Sequence, residues 1–318
     1  MPAIPAPSDP TLEAVDRAIE AGQETRLSNR LGASQIGNPC ERALWYGFRW
    51  TTAPRFDAAT LKRFQDGHDG EAQMAARLRA ISCIEIHTHD PETGNQFELT
   101  AIEGHFVCYI DGVVLGLLQA PKTWHVWEHK VSEKYAAFVR LVGNYGGKAA
   151  LREWNEVYYA QAVIGMHLTE LTRHYLTVSS PGGRNTMSCR TEANPEEALR
   201  LLAKARRVIE APNAPTRISN DPAFFRCRFC DHAEACHGDK RPLVSCRSCL
   251  HSSPTEGGNW HCARFGKTLT IDEQKEGCPA HLYIPSMING EQIDAAEDGA
   301  WVLYRLRDGS EWCDGVAA

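Results

Sequence analysis

Twelve cysteines in a chain of 318 residues, seven of them in two tight sets, constrain this sequence more than any other feature. Cys227, Cys230 and Cys236 are spaced Cys-x2-Cys-x5-Cys, and Cys246, Cys249, Cys262 and Cys278 are spaced Cys-x2-Cys-x12-Cys-x15-Cys. The opening residues, Met1-Pro2-Ala3-Ile4-Pro5-Ala6-Pro7, lack a basic stretch leading into an apolar one, so a cytoplasmic, reducing location is expected. There, clustered thiols point to metal rather than to disulfides. The second set supplies four ligands by itself and reads as a zinc-ribbon-like Zn2+ site, with His251, His261 and His281 as candidate substitutes. The first set supplies three thiolates and needs a fourth ligand, which His232, His237 or the distant Cys40 can provide.

Composition, at 43% hydrophobic and 23% charged residues, is that of an ordinary globular protein. No apolar run reaches the roughly 18 residues of a membrane span, so no membrane partner is expected. A net charge of −6 argues against indiscriminate coating of nucleic acid and leaves room for a local basic channel.

Beyond a Pro-rich tail, Asp9 before Pro10 and Gly22 further on predict a helix over 10–21. Ser34 is expected to cap one short helix and Pro39 to open another that carries Cys40. The apolar positions Leu61, Phe64, Met74, Ala75 and Leu78 predict a long helix over 58–81, bearing His68 and Glu71. Residues 104–110 read as a strand running into Asp111. Residues 126–131 read as another, with Glu128 and Lys130 on one face and His129 on the other. A hairpin between these strands would set Asp111 beside Glu128 and Lys130. Two carboxylates and an ammonium at one point suit metal-assisted phosphodiester hydrolysis, which needs oxygen ligands for a hard cation and a positive group near the attacking water. The bare pattern also fits a solvated strand face beside a turn aspartate.

Further on, the sequence predicts a strand-linking turn at 90–95, a short helix over 133–142 and a glycine-rich loop over 143–148. A helix over 151–172 carries Tyr158 and Gln161, and a strand follows over 173–180. The helix over 195–210 has a basic side, Lys204, Arg206 and Arg207, read as solvated. Asp308-Gly309 is the expected turn of a C-terminal hairpin. Cys83 and Cys108 have no partner at metal spacing and are read as structural.

Six features in chain order, Ser34 with Cys40 and Arg42, Gly67 with Glu71, Asp111, Glu128 with Lys130, Gln161, and the cysteine trio, resemble the PD-(D/E)XK superfamily. The resemblance is to its RecB-like nucleases with a four-cysteine iron–sulfur cluster, of the CRISPR-associated, AddB and phage exonuclease types, and covers residues 31–238. It implies an α/β fold, a mixed sheet flanked by helices. The expected organisation is a tail and helix over 1–30, this nuclease domain over 31–240, and a small four-cysteine β domain over 241–318. The resemblance implies that Glu71 (with His68 as the alternative), Asp111, Glu128 and the His129 carbonyl bind Mg2+ or Mn2+. Lys130 would serve the attacking water, and Gln161 and Tyr158 would stand near the substrate. Where the family often has a tyrosine four residues beyond the glutamine, this chain has Gly165. Cys40, Cys227, Cys230 and Cys236 would hold a [4Fe-4S] cluster that staples the start of the domain to its end. The implied activity is a metal-dependent DNA exonuclease, acting on linear single- or double-stranded DNA, with endonuclease activity as an open addition. A recombination or defence protein is the partner class implied. The competing reading is a non-catalytic DNA- or protein-binding module on the same fold. A redox or sensor protein built on the cluster would leave the Glu-x-Lys set without a purpose.

Overall fold

The computed structural model describes residues 9–24 and 27–315; the expected tail over 1–8 lies outside the described residues. Asp9 accepts N–H bonds from Thr11 and Leu12, so helix α1 (Pro10–Ala21) starts and stops where its caps predict. The next segment, strand β1 (Leu31–Gly32), α2 (Ala33–Ile36) and α3 (Glu41–Phe48), departs from expectation in detail. Ser34 sits inside the first turn of α2, and Gly32 occupies the cap position without a side-chain bond. Cys40 itself is the N-cap of α3, one residue beyond Pro39. Asp57 caps the long helix α4 (Ala58–Arg79).

The strands that follow divide between two sheets. Strands β2 (Glu85–His87), β5 (Gly112–Leu115), β6 (His125–Val131), β7 (Arg173–Ser179) and β8 (Thr186–Glu192) form a mixed sheet ordered β2-β5-β6-β7-β8. Only β6 and β7 run parallel in it. Strands β3 (Glu98–Ala101) and β4 (Phe106–Tyr109) pair with each other, and β4 with β1, in a separate sheet. The strand expected at 104–110 therefore does not form the hairpin with β6. The chain changes sheets at Ile110–Asp111, and β5 is the strand that pairs with β6.

The crossover from β6 to β7 is made by α5 (Tyr135–Trp154) and α6 (Glu156–Thr169). The loop expected at 143–148 reduces to a break at Gly146, at φ 69°, where two helical stretches of α5 meet on the exposed side of the fold. Asn155 ends α5 and caps α6 through its side chain. Gly165 lies against Ile110, Val126 and Cys108, so α6 rests directly on the strands beneath and a larger side chain would not fit.

Helix α7 (Pro195–Glu210) covers α3 and α6. Its basic side is solvated at Arg206 and Arg207, as expected, but not at Lys204. Lys204 is buried and donates to the carbonyls of Ile36 and Asn38, closing the C-terminal end of α2. Arg206 and Arg207 pair with Glu210 and Glu41. The cysteine trio lies on α8 (Phe225–Arg228), the turn after it, and α9 (Ala233–His237).

The second cysteine set surrounds a small antiparallel sheet of β9 (Ser252–Thr255), β10 (Asn259–Cys262) and β11 (Lys267–Leu269), followed by α10 (Ile271–Glu276). Strands β12 (Gly290–Ala295), β13 (Trp301–Leu306) and β14 (Glu311–Gly315) make a last sheet, with the expected turn at Asp308–Gly309 between β13 and β14. Cys246, Trp260, Cys262, Ile284 and Met287 belong to the same buried core as α3, α6 and α7. No helix among the described residues is long and apolar enough to cross a membrane.

Candidate active site

Register places Asp111. Pairing between β5 and β6 ends at Gly112 opposite Trp127, so the next N–H on β6, that of His129, has no strand partner there. The Asp111 carboxylate takes its place: Oδ2 accepts the His129 N–H at 2.8 Å. Alternation along β6 turns Glu128 and Lys130 to a common side, where Lys130 Nζ lies 2.6 Å from Glu128 Oε1 and 4.0 Å from Asp111 Oδ2. The expected trio is thus brought together.

Glu71 joins it from α4. Burial, the largest cause, and the negative charges of Asp111 and Glu128 push its carboxyl up to about 7, with Lys130 opposing. Asp111 is also raised, by burial first, and Lys130 offsets this only in part. Glu128 goes the other way: burial alone would raise it, but Lys130 and His174 hold it low. Burial would likewise strip Lys130 of its proton, yet Glu128 and Asp111 keep it charged. Three carboxylates thus share one ammonium in a poorly solvated space, an excess of negative charge that a divalent cation would neutralise. His68 is exposed, and of the two candidates on α4 it is Glu71 that shares charge interactions with the trio.

What lets α4 approach is Gly70 rather than the motif glycine. A Cβ at Gly70 would fall 2.3 Å from Val131 Cγ2, whereas one at Gly67 would meet nothing within 4 Å. Gly70→Ala is therefore expected to lift α4 from β6 and cost ~1–3 kcal/mol. Gly67→Ala should be neutral or stabilise by ~0.5–1 kcal/mol. Urea unfolding of the two variants checks this; equal stabilities would sink the packing argument.

The His129 ring points away from the carboxylates, as alternation predicts. Thr177 Oγ1 accepts from Trp127 Nε1 at 3.1 Å and spends its proton on the Glu128 carbonyl at 3.2 Å. Hence His129 Nδ1, 3.0 Å away, must donate to it, which leaves Nε2 to accept from Ser179 Oγ at 3.1 Å. Burial lowers His129 to about 4, in keeping with a neutral ring. Only its backbone carbonyl is left for a ligand role. Gln161 Nε2 reaches the Tyr109 carbonyl at 3.4 Å and braces the turn that delivers Asp111. Tyr158 lies under Lys130, whose Nζ is 5.5 Å from the ring centroid.

Three positioning residues escaped sequence reasoning. Thr177 and Ser179 fix the His129 ring, and the fully buried His174 places Nε2 3.5 Å from Glu128 Oε2. All three lie on β7, in register with β6. Their only sequence signal is polarity within an apolar strand.

The cysteines fall into two differently sized spaces. Cys40, Cys227, Cys230 and Cys236 line one cavity of about 440 Å3. Cys227 and Cys230 both feel the charges of Cys40 and Cys236, and Arg217 Nε donates to Cys236 Sγ at 3.4 Å. His232 and His237 also line the cavity, with His232 Nδ1 2.7 Å from Thr52 Oγ1. Cys246, Cys249, Cys262 and Cys278 enclose only about 10 Å3, room for about one atom. His251 and His281 line that space too, though His281 Nε2 sits 3.0 Å from Ser248 Oγ. As their side chains stand, no three His, Cys, Asp or Glu among the described residues are gathered tightly enough to grip a metal ion.

No protein-family model matches the chain, and no curated protein matches it. Among solved structures, LHK-Exo in complex with dAMP is similar at 14% identity, over 57% of this chain and 86% of that one, with a TM-score of 0.40. Another structure of LHK-Exo, an alkaline exonuclease from Laribacter hongkongensis, is similar at 14% identity, over 62% and 90%, with a TM-score of 0.39. SSO0001 is similar at 12% identity, over 71% and 96%, with a TM-score of 0.40.

Proposed function

We propose that the protein is a divalent-metal-dependent deoxyribonuclease of the RecB-like PD-(D/E)XK kind, acting as an exonuclease on linear DNA. The observation that carries this reading is the convergence of Asp111, Glu128, Lys130 and Glu71 where β5 and β6 part. A solvated strand face would spread its charges into water; here Glu128 is buried and Lys130 stays paired to it.

Glu71, Asp111, Glu128 and the His129 carbonyl would hold Mg2+ or Mn2+, which supplies Lewis-acid stabilisation of the phosphate charge and acidifies a bound water. Lys130, kept protonated by its two carboxylates, orients the attacking water by donation and offsets charge on the scissile phosphate. Tyr158 and Gln161 shape the wall on the α6 side.

Four thiols lining one cavity, three of them spaced Cys-x2-Cys-x5-Cys, supply the ligand count of a [4Fe-4S] group. The atom-sized second space fits Zn2+. A charge argument supports it: Arg49 and Arg247 are buried side by side, stacked on Trp260 at 4.9 and 4.7 Å, and neither has a carboxylate partner among the described residues. Four thiolates on Zn2+ carry −2, which matches two guanidiniums.

The deciding experiment is degradation of end-labelled linear and circular DNA with Mn2+, beside Lys130→Ala. Loss of linear DNA only with metal and intact Lys130 supports the reading, and cutting of circles adds endonuclease activity. If wild type and variant both leave DNA intact with their clusters loaded, the binding-module reading replaces it.

A second expectation concerns protons. Glu71 titrates near 4.5 in an unfolded chain and about 7 in the fold, so its ionisation weighs against the folded state. Metal-free stability should fall as pH rises from about 4.5 to about 7, by on the order of 2 kcal/mol once screening of this partly exposed carboxyl by solvent is allowed for. Mn2+ should cancel this loss, and its binding at about pH 6 should release roughly one proton. Calorimetry in two buffers of different ionisation heat measures that number; zero release would contradict the assigned role of Glu71.

A further inference from the structure

The segment that carries the first cysteines exposes two large aromatic rings. Phe225 is 60% exposed and Phe229 79%, while Cys227 between them is buried. Phe229 is the most exposed large hydrophobic side chain among the described residues. Neither ring fills the core, and Phe224 supports the first at a centroid distance of 4.8 Å.

Arginines alternate with these rings. The Arg226 guanidinium lies 5.2 Å from the Phe225 centroid, and that of Arg228 lies 5.4 Å from Phe229. Arg228 forms no ion pair among the described residues, so its charge is open to a ligand. Arg226 pairs with Glu156 at 2.7 Å, in the first turn of α6. Two residues on, Tyr158 lies under Lys130. The patch therefore lies against the N-terminal turn of α6, the helix that carries Tyr158 beneath Lys130.

We infer that Phe225, Arg226, Arg228 and Phe229 form a single-stranded DNA platform, which rests on the deoxyribonuclease reading for its substrate class. Unpaired bases offer flat faces that stack on exposed rings, and the unpaired Arg228 between them takes a phosphate. Duplex DNA keeps its base faces stacked on one another, so it cannot use the rings without unstacking. The platform thus favours a frayed or single-stranded end over a blunt one, and feeds that end toward Lys130.

The test uses the full, cluster-loaded chain carrying Lys130→Ala, so that binding is read without turnover. Anisotropy of a labelled single-stranded oligonucleotide and of a blunt duplex is compared with and without Phe225→Ala/Phe229→Ala. The expected result is a ~10–100-fold loss for the single strand and little change for the duplex. Phe229→Trp should retain affinity, and its fluorescence should be quenched on binding. Equal affinity of the alanine pair for single strands, or an equal loss for both DNAs, overturns the platform. Loss of self-association in the alanine pair with unchanged DNA binding overturns it too, in favour of a protein contact. Ring-dependent single-strand binding beside a Lys130-intact chain that degrades no DNA with Mn2+ would keep the platform and sink only the hydrolytic reading.

Discussion

Asp111→Asn and Lys130→Ala are both expected to lower DNA hydrolysis by about 10³-fold, and to do so for different reasons. Asparagine keeps an oxygen that can accept the His129 N–H now bound at 2.8 Å, so β5 and β6 should stay in place. What it removes is a charge in the set that would hold the cation. Mn2+ affinity should drop, and Glu71 should titrate closer to its ordinary range, because the Asp111 charge is one of the causes that raise it. Lys130→Ala does the reverse. It leaves Glu128 buried without the ammonium at 2.6 Å, which should cost the metal-free protein ~3–5 kcal/mol. Mn2+ should bind at least as tightly as in the wild type and restore much of that stability, while turnover stays low. Calorimetric Mn2+ binding, thermal unfolding with and without metal, and single-turnover hydrolysis separate the two patterns. Activity within tenfold of wild type in either variant would remove the site as assigned.

Cys40→Ala is expected to have the largest effect on stability. Cys40 caps α3, and the other three thiols of its cavity follow only after the sheet, the crossover helices and α7. A cluster that joins them closes a loop containing most of the proposed nuclease domain. Treated as a cross-link, such a closure contributes on the order of 5 kcal/mol by reducing the freedom of the unfolded chain. The variant should lose iron, lower the unfolding midpoint steeply and leave the zinc content of the second set unchanged. Iron and zinc analysis beside thermal unfolding checks all three. If Cys40→Ala keeps its metal and midpoint, His237, which faces the same cavity, becomes the fourth ligand.

Features that depend on near neighbours are legible in the chain alone. Asp9 and Pro10 start α1 because a cap bond reaches only two or three residues ahead. Glu128 and Lys130 share a face because side chains alternate along any strand, and Asp308-Gly309 turns a hairpin by its own backbone preference. Cysteine spacing likewise separates seven thiols into two sets, which line two different spaces in the fold.

Tertiary structure decided the rest, because burial, close approach and electrostatics depend on groups far away in the chain. Lys204 reads as solvated in its helix, yet it is buried because the end of α2 offers it two carbonyls. Gly67 carries the motif, but Gly70 is the residue that meets Val131. Residues 143–148 are rich in glycine, yet only Gly146 leaves helical geometry there. His174 reaches Glu128 only through the parallel register of β6 and β7, and Arg49 meets Arg247 only when residues some two hundred apart fold into one core. Local pattern named the acids and the lysine; long-range packing brought Glu71 to them and crowded three carboxylates around one ammonium.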